Sequence, residues 1–208
     1  MDLIQYRIDR DNADRLLILL HGWSAEQHHL AAYVPLVDPG ERFTAICPRG
    51  PYDLPEGDGA SWYERRTGGP EPASFLASLE AIETMIAAEA KARAIPVERC
   101  VVGGFSQGGF LSVALATKPN ALPYAGLWAM CCGVPDVVGL EPDFEQGADR
   151  PALIQFGERD AIITPDRGRA LAATLAAGRW TTQIEGYDMA HSQSVEMMLG
   201  ARTWLAAI

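Results

Sequence analysis

The stretch Cys100-Val101-Val102-Gly103-Gly104-Phe105-Ser106-Gln107-Gly108-Gly109-Phe110-Leu111 constrains the fold more than any other part of the chain. Its first three residues end a short apolar, β-branched run of the kind a buried strand requires. Residues 109–116 have few breakers and good helix formers. A strand that passes so directly into a helix leaves room only for a sharp turn, with Ser106 at its tip. Residues 104–108 fit the pattern Gly-x-Ser-x-Gly, in which a serine hydroxyl projects from a strained strand-to-helix turn. Glycines on either side remove the Cβ atoms that would clash with the strand and the helix. The helix start aims free backbone N–H groups at the serine, ready for any oxyanion formed there.

The rest of the chain alternates strand and helix. Residues 15–20 form a continuous apolar run of strand length, as a strand buried on both faces does. Residues 43–47, 124–130, 152–156 and 180–184 read as further strands, and residues 3–8 as a strand at a sheet edge. A short helix is expected within residues 25–33, stopped before Pro35. Phe75, Leu79, Ile82 and Ile86 recur at helical spacing, so residues 74–93 form a helix with one apolar face. Thr164-Pro165 looks like an N-cap followed by proline at the first helical position, with Gly178 as the stop. Ser192 is the expected cap of a last helix reaching Ala207. This order predicts an α/β fold: a mostly parallel central sheet with helices on both faces. One domain over residues 1–208 is expected, with no segment long enough for a separate lid domain. Residues 48–72 are rich in proline and glycine and read as a long irregular loop, a common location of function.

Composition narrows the partners. The 208 residues suffice for one large core. A formal net charge of −10 argues against nucleic acid or an anionic membrane as the main partner. Residues 1–7 are mixed in character, so no signal peptide is expected, and no apolar run is long enough to anchor the chain in a bilayer. The cysteines Cys47, Cys100, Cys131 and Cys132 show no metal-ligand spacing and read as small buried residues. A reducing cytoplasm is the expected location.

Sites of such sheets lie beyond the carboxyl ends of the strands. Where a serine sits on this kind of turn, the chain order of the partners is serine, acid, histidine. The histidines are His21, His28, His29 and His191, and only His191 follows Ser106. The acid should follow strand 152–156, where Glu158 and Asp160 are the candidates. Asp160 is favoured because a short loop can turn its carboxylate towards His191, whereas Glu158 reads as a surface charge. Asp188 is too near His191 in sequence and reads as a turn residue. Serine is a weak nucleophile until a base takes its proton; His191 can do so, and Asp160 would fix the imidazole tautomer. The backbone N–H of Gln107 and that of Trp23, after strand 15–20, are the expected oxyanion donors. His21 is expected to shape that loop rather than react. Trp62 and Tyr63 are expected to line an open aromatic cleft facing Trp23, which would suit short to medium acyl groups.

Leu19-Leu20-His21-Gly22, Ser61-Trp62-Tyr63, Ile95-Pro96-Val97-Glu98-Arg99, Gly103 to Gly109, Gly157-Glu158-Arg159-Asp160 and Met189-Ala190-His191-Ser192 resemble the carboxylesterase/phospholipase family of α/β-hydrolases, which includes the acyl-protein thioesterases. The resemblance runs in order along nearly the whole chain, and Gly-Phe-Ser-Gln-Gly-Gly is its most specific block. It implies a Ser106, Asp160, His191 triad and oxyanion donors at Trp23 and Gln107. It also implies esterase or thioesterase action on a small ester with neither cofactor nor metal, and the homodimer often found in the family. A lysophospholipase or protein depalmitoylase would use the same site. A catalytically silent, ligand-binding relative would not need the intact Ser106, Asp160 and His191 set. Trp23 departs from the smaller residue, often leucine, usual in the family, and Cys131-Cys132 from a common serine-glycine pair. Both bear on the shape of the acyl pocket.

Overall fold

The computed structural model describes the whole chain except Asp58 and Gly68, and of Glu56 the backbone alone. Seven strands form the central sheet: β1 (Gln5–Ile8), β2 (Arg15–Leu20), β3 (Phe43–Pro48), β8 (Cys100–Phe105), β9 (Gly126–Met130), β10 (Pro151–Gly157) and β11 (Thr181–Tyr187), in the order β1-β3-β2-β8-β9-β10-β11. All neighbours pair in parallel except β1, which runs antiparallel to β3 at one edge. Between β3 and β8 lie two small hairpins, β4 (Tyr52–Asp53) with β5 (Ala60–Ser61) and β6 (Arg65–Arg66) with β7 (Gly69–Pro70).

Helices cover both faces. α3 (Pro72–Ala92), α4 (Gln107–Thr117) and α5 (Pro165–Ala177) contribute to one apolar cluster. α1 (His28–Ala31), α2 (Val34–Val37) and α6 (Val195–Ala207) contribute to the other. β2 shows why the sheet needs both. Leu16, Ile18 and Leu20 enter the first cluster, while Leu17 and Leu19 enter the second. Five consecutive large side chains are therefore buried, each worth roughly 1.5–3 kcal/mol. Phe75, Leu79, Ile82 and Ile86 of α3 are all buried, as their spacing predicts. α3 begins two residues before the expected start because Glu71 caps it, its carboxylate accepting from the Ser74 amide at 2.7 Å, with Pro72 in the first turn.

Three local expectations need correction. Pro35 does not exclude helix: it lies in the first turn of α2, where its missing N–H would have had no intrahelical partner. The last helix is capped by Ser194, whose Oγ accepts from the Met197 amide at 3.2 Å, not by Ser192, whose amide closes a turn on Ala190. Residues 48–72 are less irregular than their composition suggests, since they carry the two hairpins and pair with the loop after β2 through Ala60 and Ala25. Asp58 and Gly68 of that stretch lie outside the described residues. Among the described residues, no helix is long and apolar enough to cross a membrane.

The parallel strands end together, so the loops after β2, β8, β10 and β11 meet at one edge.

Candidate active site

Ser106 follows β8 at once and precedes α4. Its backbone sits at φ 52°, ψ −113°, outside the regions a side-chain-bearing residue prefers. Close packing of bare backbone enforces the turn. A Cβ on Gly108 would lie 2.1 Å from the Leu20 carbonyl oxygen, and one on Gly104 would lie 2.5 Å from Gly108. The chain crosses from strand to helix at a separation that only glycine allows, and Ser106 is held with its side chain outward.

His191 follows β11 and Asp160 follows β10. The two loops are tied by hydrogen bonds from the Glu158 amide to the Tyr187 carbonyl at 2.8 Å and from the Arg159 amide to the Met189 carbonyl at 3.0 Å. Gly157 permits this approach, because a Cβ there would come within 2.4 Å of Met189 O. Asp160 Oδ2 lies 2.6 Å from His191 Nδ1, and His191 Nε2 lies 2.8 Å from Ser106 Oγ. A carboxylate only accepts, which assigns the proton to Nδ1 and leaves Nε2 to accept from the Ser106 hydroxyl. Asp160 Oδ1 is fixed in turn by the amides of Ile162 and Ile163 at 2.9 and 2.8 Å. The Asp160 side chain is fully enclosed while that of His191 keeps 14% of its surface exposed, so the acid is shielded and the imidazole is not. The Phe105 ring backs the imidazole at 4.9 Å.

Cys131 lies beside this pair, fully buried. Its Sγ lies with Asp160 and His191 in a group whose potential ligand atoms are all within 4.8 Å of one another. The donors do not suit a cation. Nδ1 of His191 is committed to Asp160, and burial pushes the Cys131 thiol up to about 12, so it stays protonated.

The family model for Phospholipase/Carboxylesterase matches residues 6–208. The chain belongs to the phospholipase/carboxylesterase family. Similarity to the acyl-protein thioesterase 1 homolog 1 of Dictyostelium discoideum is 28% identity over 135 residues, 60% of this chain and 58% of that protein. The chain thus spans less than two thirds of the curated relative it matches. Among solved structures, a Bacillus cereus carboxylesterase superposes with a TM-score of 0.83 at 17% identity, covering 99% of this chain and 94% of that one. A carboxylesterase from Mesorhizobium loti gives 0.79 at 20% identity, covering 94% and 90%. These likenesses establish the α/β-hydrolase fold.

The remaining residues singled out in the sequence fall into two groups. Trp23, Tyr63 and Gln107 line the cleft of about 330 Å³ that contains Ser106. Trp23 is half exposed at its mouth, and the backbone N–H groups of Trp23 and Gln107 have no acceptor among the described residues. Trp62 does not line the cleft. It is fully buried beneath it, its indole N–H donating to the His21 carbonyl and its amide to Gln107 Oε1, both at 2.9 Å. Its carbonyl accepts from the Ser78 hydroxyl. The expectation of a substrate-facing Trp62 is corrected for that reason: three polar contacts hold it in the core.

These contacts give Gln107 a second part in the site. Its side chain is buried and bridges the Trp62 amide and, through Nε2, the Ser61 hydroxyl at 2.8 Å. The first residue of α4 is thereby tied to the loop that supports His21. His21 itself is buried; Nδ1–H donates to the Gly22 carbonyl at 2.7 Å and Nε2 accepts from the Gly50 amide at 2.9 Å. Burial pushes its pKa down to about 4. Glu158 is engaged on the surface with Arg169, and Asp188 with Arg159. Sequence reading did not single out Phe110, Val137, Ile162, Ile163 and Arg167, which also line the cleft; Ile162 and Ile163, in the loop after β10, offered the one signal, their place beyond a strand end.

Proposed function

We propose that the protein is a serine carboxylester hydrolase that works through an acyl-enzyme. The observation that carries this is the hydrogen-bonded chain from Ser106 Oγ through His191 to Asp160, at 2.8 and 2.6 Å. Ser106 Oγ attacks the ester carbonyl carbon as His191 Nε2 takes its proton. Asp160 holds the imidazole in the required tautomer and stabilises the imidazolium. The tetrahedral oxyanion receives the uncommitted amides of Trp23 and Gln107. Collapse breaks the bond to the leaving oxygen, which takes the proton from His191. Water then attacks the acyl-enzyme with His191 again as base, and the carboxylic acid leaves. Likeness to an acyl-protein thioesterase homolog supports thioesters as alternative substrates, and the same steps apply with a thiol leaving group.

The size and lining of the cleft support short to medium acyl groups. Each buried methylene adds about 0.8 kcal/mol only until the walls end, and Trp23 stands at the mouth. A fluorophosphonate should label the native protein at Ser106. Ser106→Ala should fold, escape labelling and lose at least ~10³-fold in kcat. A series of p-nitrophenyl esters from acetate to palmitate should peak below the long chains. Full labelling of Ser106→Ala would refute the nucleophile, and an optimum at palmitate would favour the depalmitoylase reading.

A further inference from the structure

The arginines of this chain divide sharply by what their side chains meet. Among the described residues, Arg7, Arg10, Arg15, Arg49, Arg66, Arg93, Arg99, Arg159, Arg169 and Arg179 each lie within ion-pair distance of a carboxylate. Arg42 and Arg150 donate to backbone carbonyls instead. Arg65, Arg167 and Arg202 do neither, and the first two line the cleft that holds Ser106. Scarcity of acids is not the reason, because Asp and Glu outnumber Lys and Arg by 27 to 17. Among the described residues, then, two exposed guanidiniums without a carboxylate partner line one cleft and raise the positive potential there, against the sign of the protein as a whole.

Arg167 is well anchored for such a role. It lies in the first turn of α5, its amide donating to the Thr164 carbonyl at 2.9 Å. Its Cζ stands 5.2 Å from the centroid of the Phe110 ring, and the Phe110 amide donates to the Ser106 carbonyl at 3.0 Å. The guanidinium therefore packs on the helical turn that begins at Ser106. Its shaft lies against bare backbone: a Cβ on Gly133 would fall 3.2 Å from Arg167 Cβ and 3.3 Å from its Nε. Packing on an aromatic ring orients the plane of an arginine but leaves its N–H edge without acceptors. Arg169, two residues on, has its N–H groups occupied by Glu158 and Asp166. Arg65, Arg167 and Tyr63 line the same cleft, and both arginines oppose the upward push that burial gives the Tyr63 hydroxyl. Asp136 also lines the cleft, exposed and beyond ion-pair distance of either arginine, and it leaves the lining with a positive excess.

We propose that the cleft selects esters bearing a carboxylate, which Arg167 binds with Arg65 while the ester carbonyl meets Ser106. This rests on Ser106 being the nucleophile and goes beyond it by naming the charge of the substrate. Guanidinium and carboxylate match as two parallel N–H···O bonds, a geometry an ammonium cannot copy.

The test compares kcat/KM for ester pairs that differ in charge. On the acyl side the pair is mono-(4-nitrophenyl) adipate and 4-nitrophenyl hexanoate. On the alcohol side it is 3-carboxyphenyl butyrate and 3-carbamoylphenyl butyrate. Native protein should prefer the carboxylate member of at least one pair by about tenfold or more, the scale of a charge-assisted hydrogen bond. The side that shows the preference tells which part of the ester faces Arg167. Arg167→Gln should cut that ratio about tenfold, Arg167→Lys should restore little of it, and Arg202→Ala should leave it unchanged. A ratio near one for both pairs in the native protein overturns the proposal without any variant. A ratio that survives Arg167→Gln overturns it too. Fluorophosphonate labelling and turnover of the neutral esters report separately on Ser106, so loss of both would indict the nucleophile and not the arginines.

Discussion

His21 and His191 both follow the carboxyl end of a parallel strand, and both use both ring nitrogens. His191 donates from Nδ1 to the Asp160 carboxylate and accepts at Nε2 from a hydroxyl. His21 donates from Nδ1 to a backbone carbonyl and accepts at Nε2 from a backbone amide. The geometry is alike and the partners differ in charge. A carboxylate can stabilise an imidazolium, and a hydroxyl can give up its proton; a peptide carbonyl and amide do neither to a comparable degree. One imidazole is therefore equipped to carry a proton, and the other is equipped to refuse one and brace a loop.

The sharpest way to break the contrast is to neutralise the acid. Asp160→Asn removes the charge and favours the wrong tautomer of His191, so kcat should fall by about 10³–10⁴ with the fold intact. Circular dichroism and steady-state kinetics on one preparation check both halves. Loss of kcat by less than tenfold would mean that the carboxylate is not what distinguishes the two histidines.

His21 should show the opposite profile, with stability affected more than chemistry. Its pKa is about 4 in the folded chain against an ordinary 6.5, so the unfolded chain binds a proton between those values and the folded chain does not. The contribution is complete above pH 6.5 and drains away as pH falls towards 4, a total of roughly 3 kcal/mol at 1.36 kcal/mol per unit. His21→Gln should remove that part of the acid-side loss, measured as the difference in urea midpoints between pH 7 and pH 4.5. It should also destabilise the fold at pH 7 by about 1–3 kcal/mol, since one amide group cannot reproduce both the bond to the Gly22 carbonyl and the bond from the Gly50 amide. Identical pH profiles for the two proteins would refute the neutral, bracing role.

The smallest effect belongs to the neighbouring carboxylate. Glu158 and Arg169 are both roughly half exposed, so Glu158→Gln should change stability by less than about 1 kcal/mol and kcat by less than about threefold. A severe loss would mean that proximity in sequence to Asp160 matters more than contact with the imidazole.

What could be read ahead of the structure follows the same logic of local versus distant partners. β2 was legible to the residue because the apolar run is bounded by Asp14 and His21 and is buried on both faces. The turn at Ser106 was legible because its steric demand is local, glycine against backbone. The order serine, acid, histidine pointed to three residues that the fold brings within hydrogen-bond distance. The hairpins within residues 48–72 were hidden, since two-residue strands are too short for alternation to show. Trp62 was misplaced because its direction depends on His21 and Gln107, each distant in sequence. Arg167 drew no notice, since an arginine on a helix is ordinarily a solvated charge, and only the packing on Phe110 and the lack of a carboxylate mark it out.

The conformation of Ser106 has a consequence for how this chain can drift. A left-handed φ on a residue with a side chain costs of the order of 1–3 kcal/mol, and glycine would adopt it without that cost. On the proposed mechanism, the fold therefore holds its nucleophile at a cost in stability that the reaction requires. Losing the hydroxyl alone would relieve nothing, because the cost lies in the Cβ; only replacement by glycine would abolish activity and gain stability together. Threonine, whose branched Cβ makes a left-handed backbone still harder to reach, would be a costlier occupant of this turn than serine.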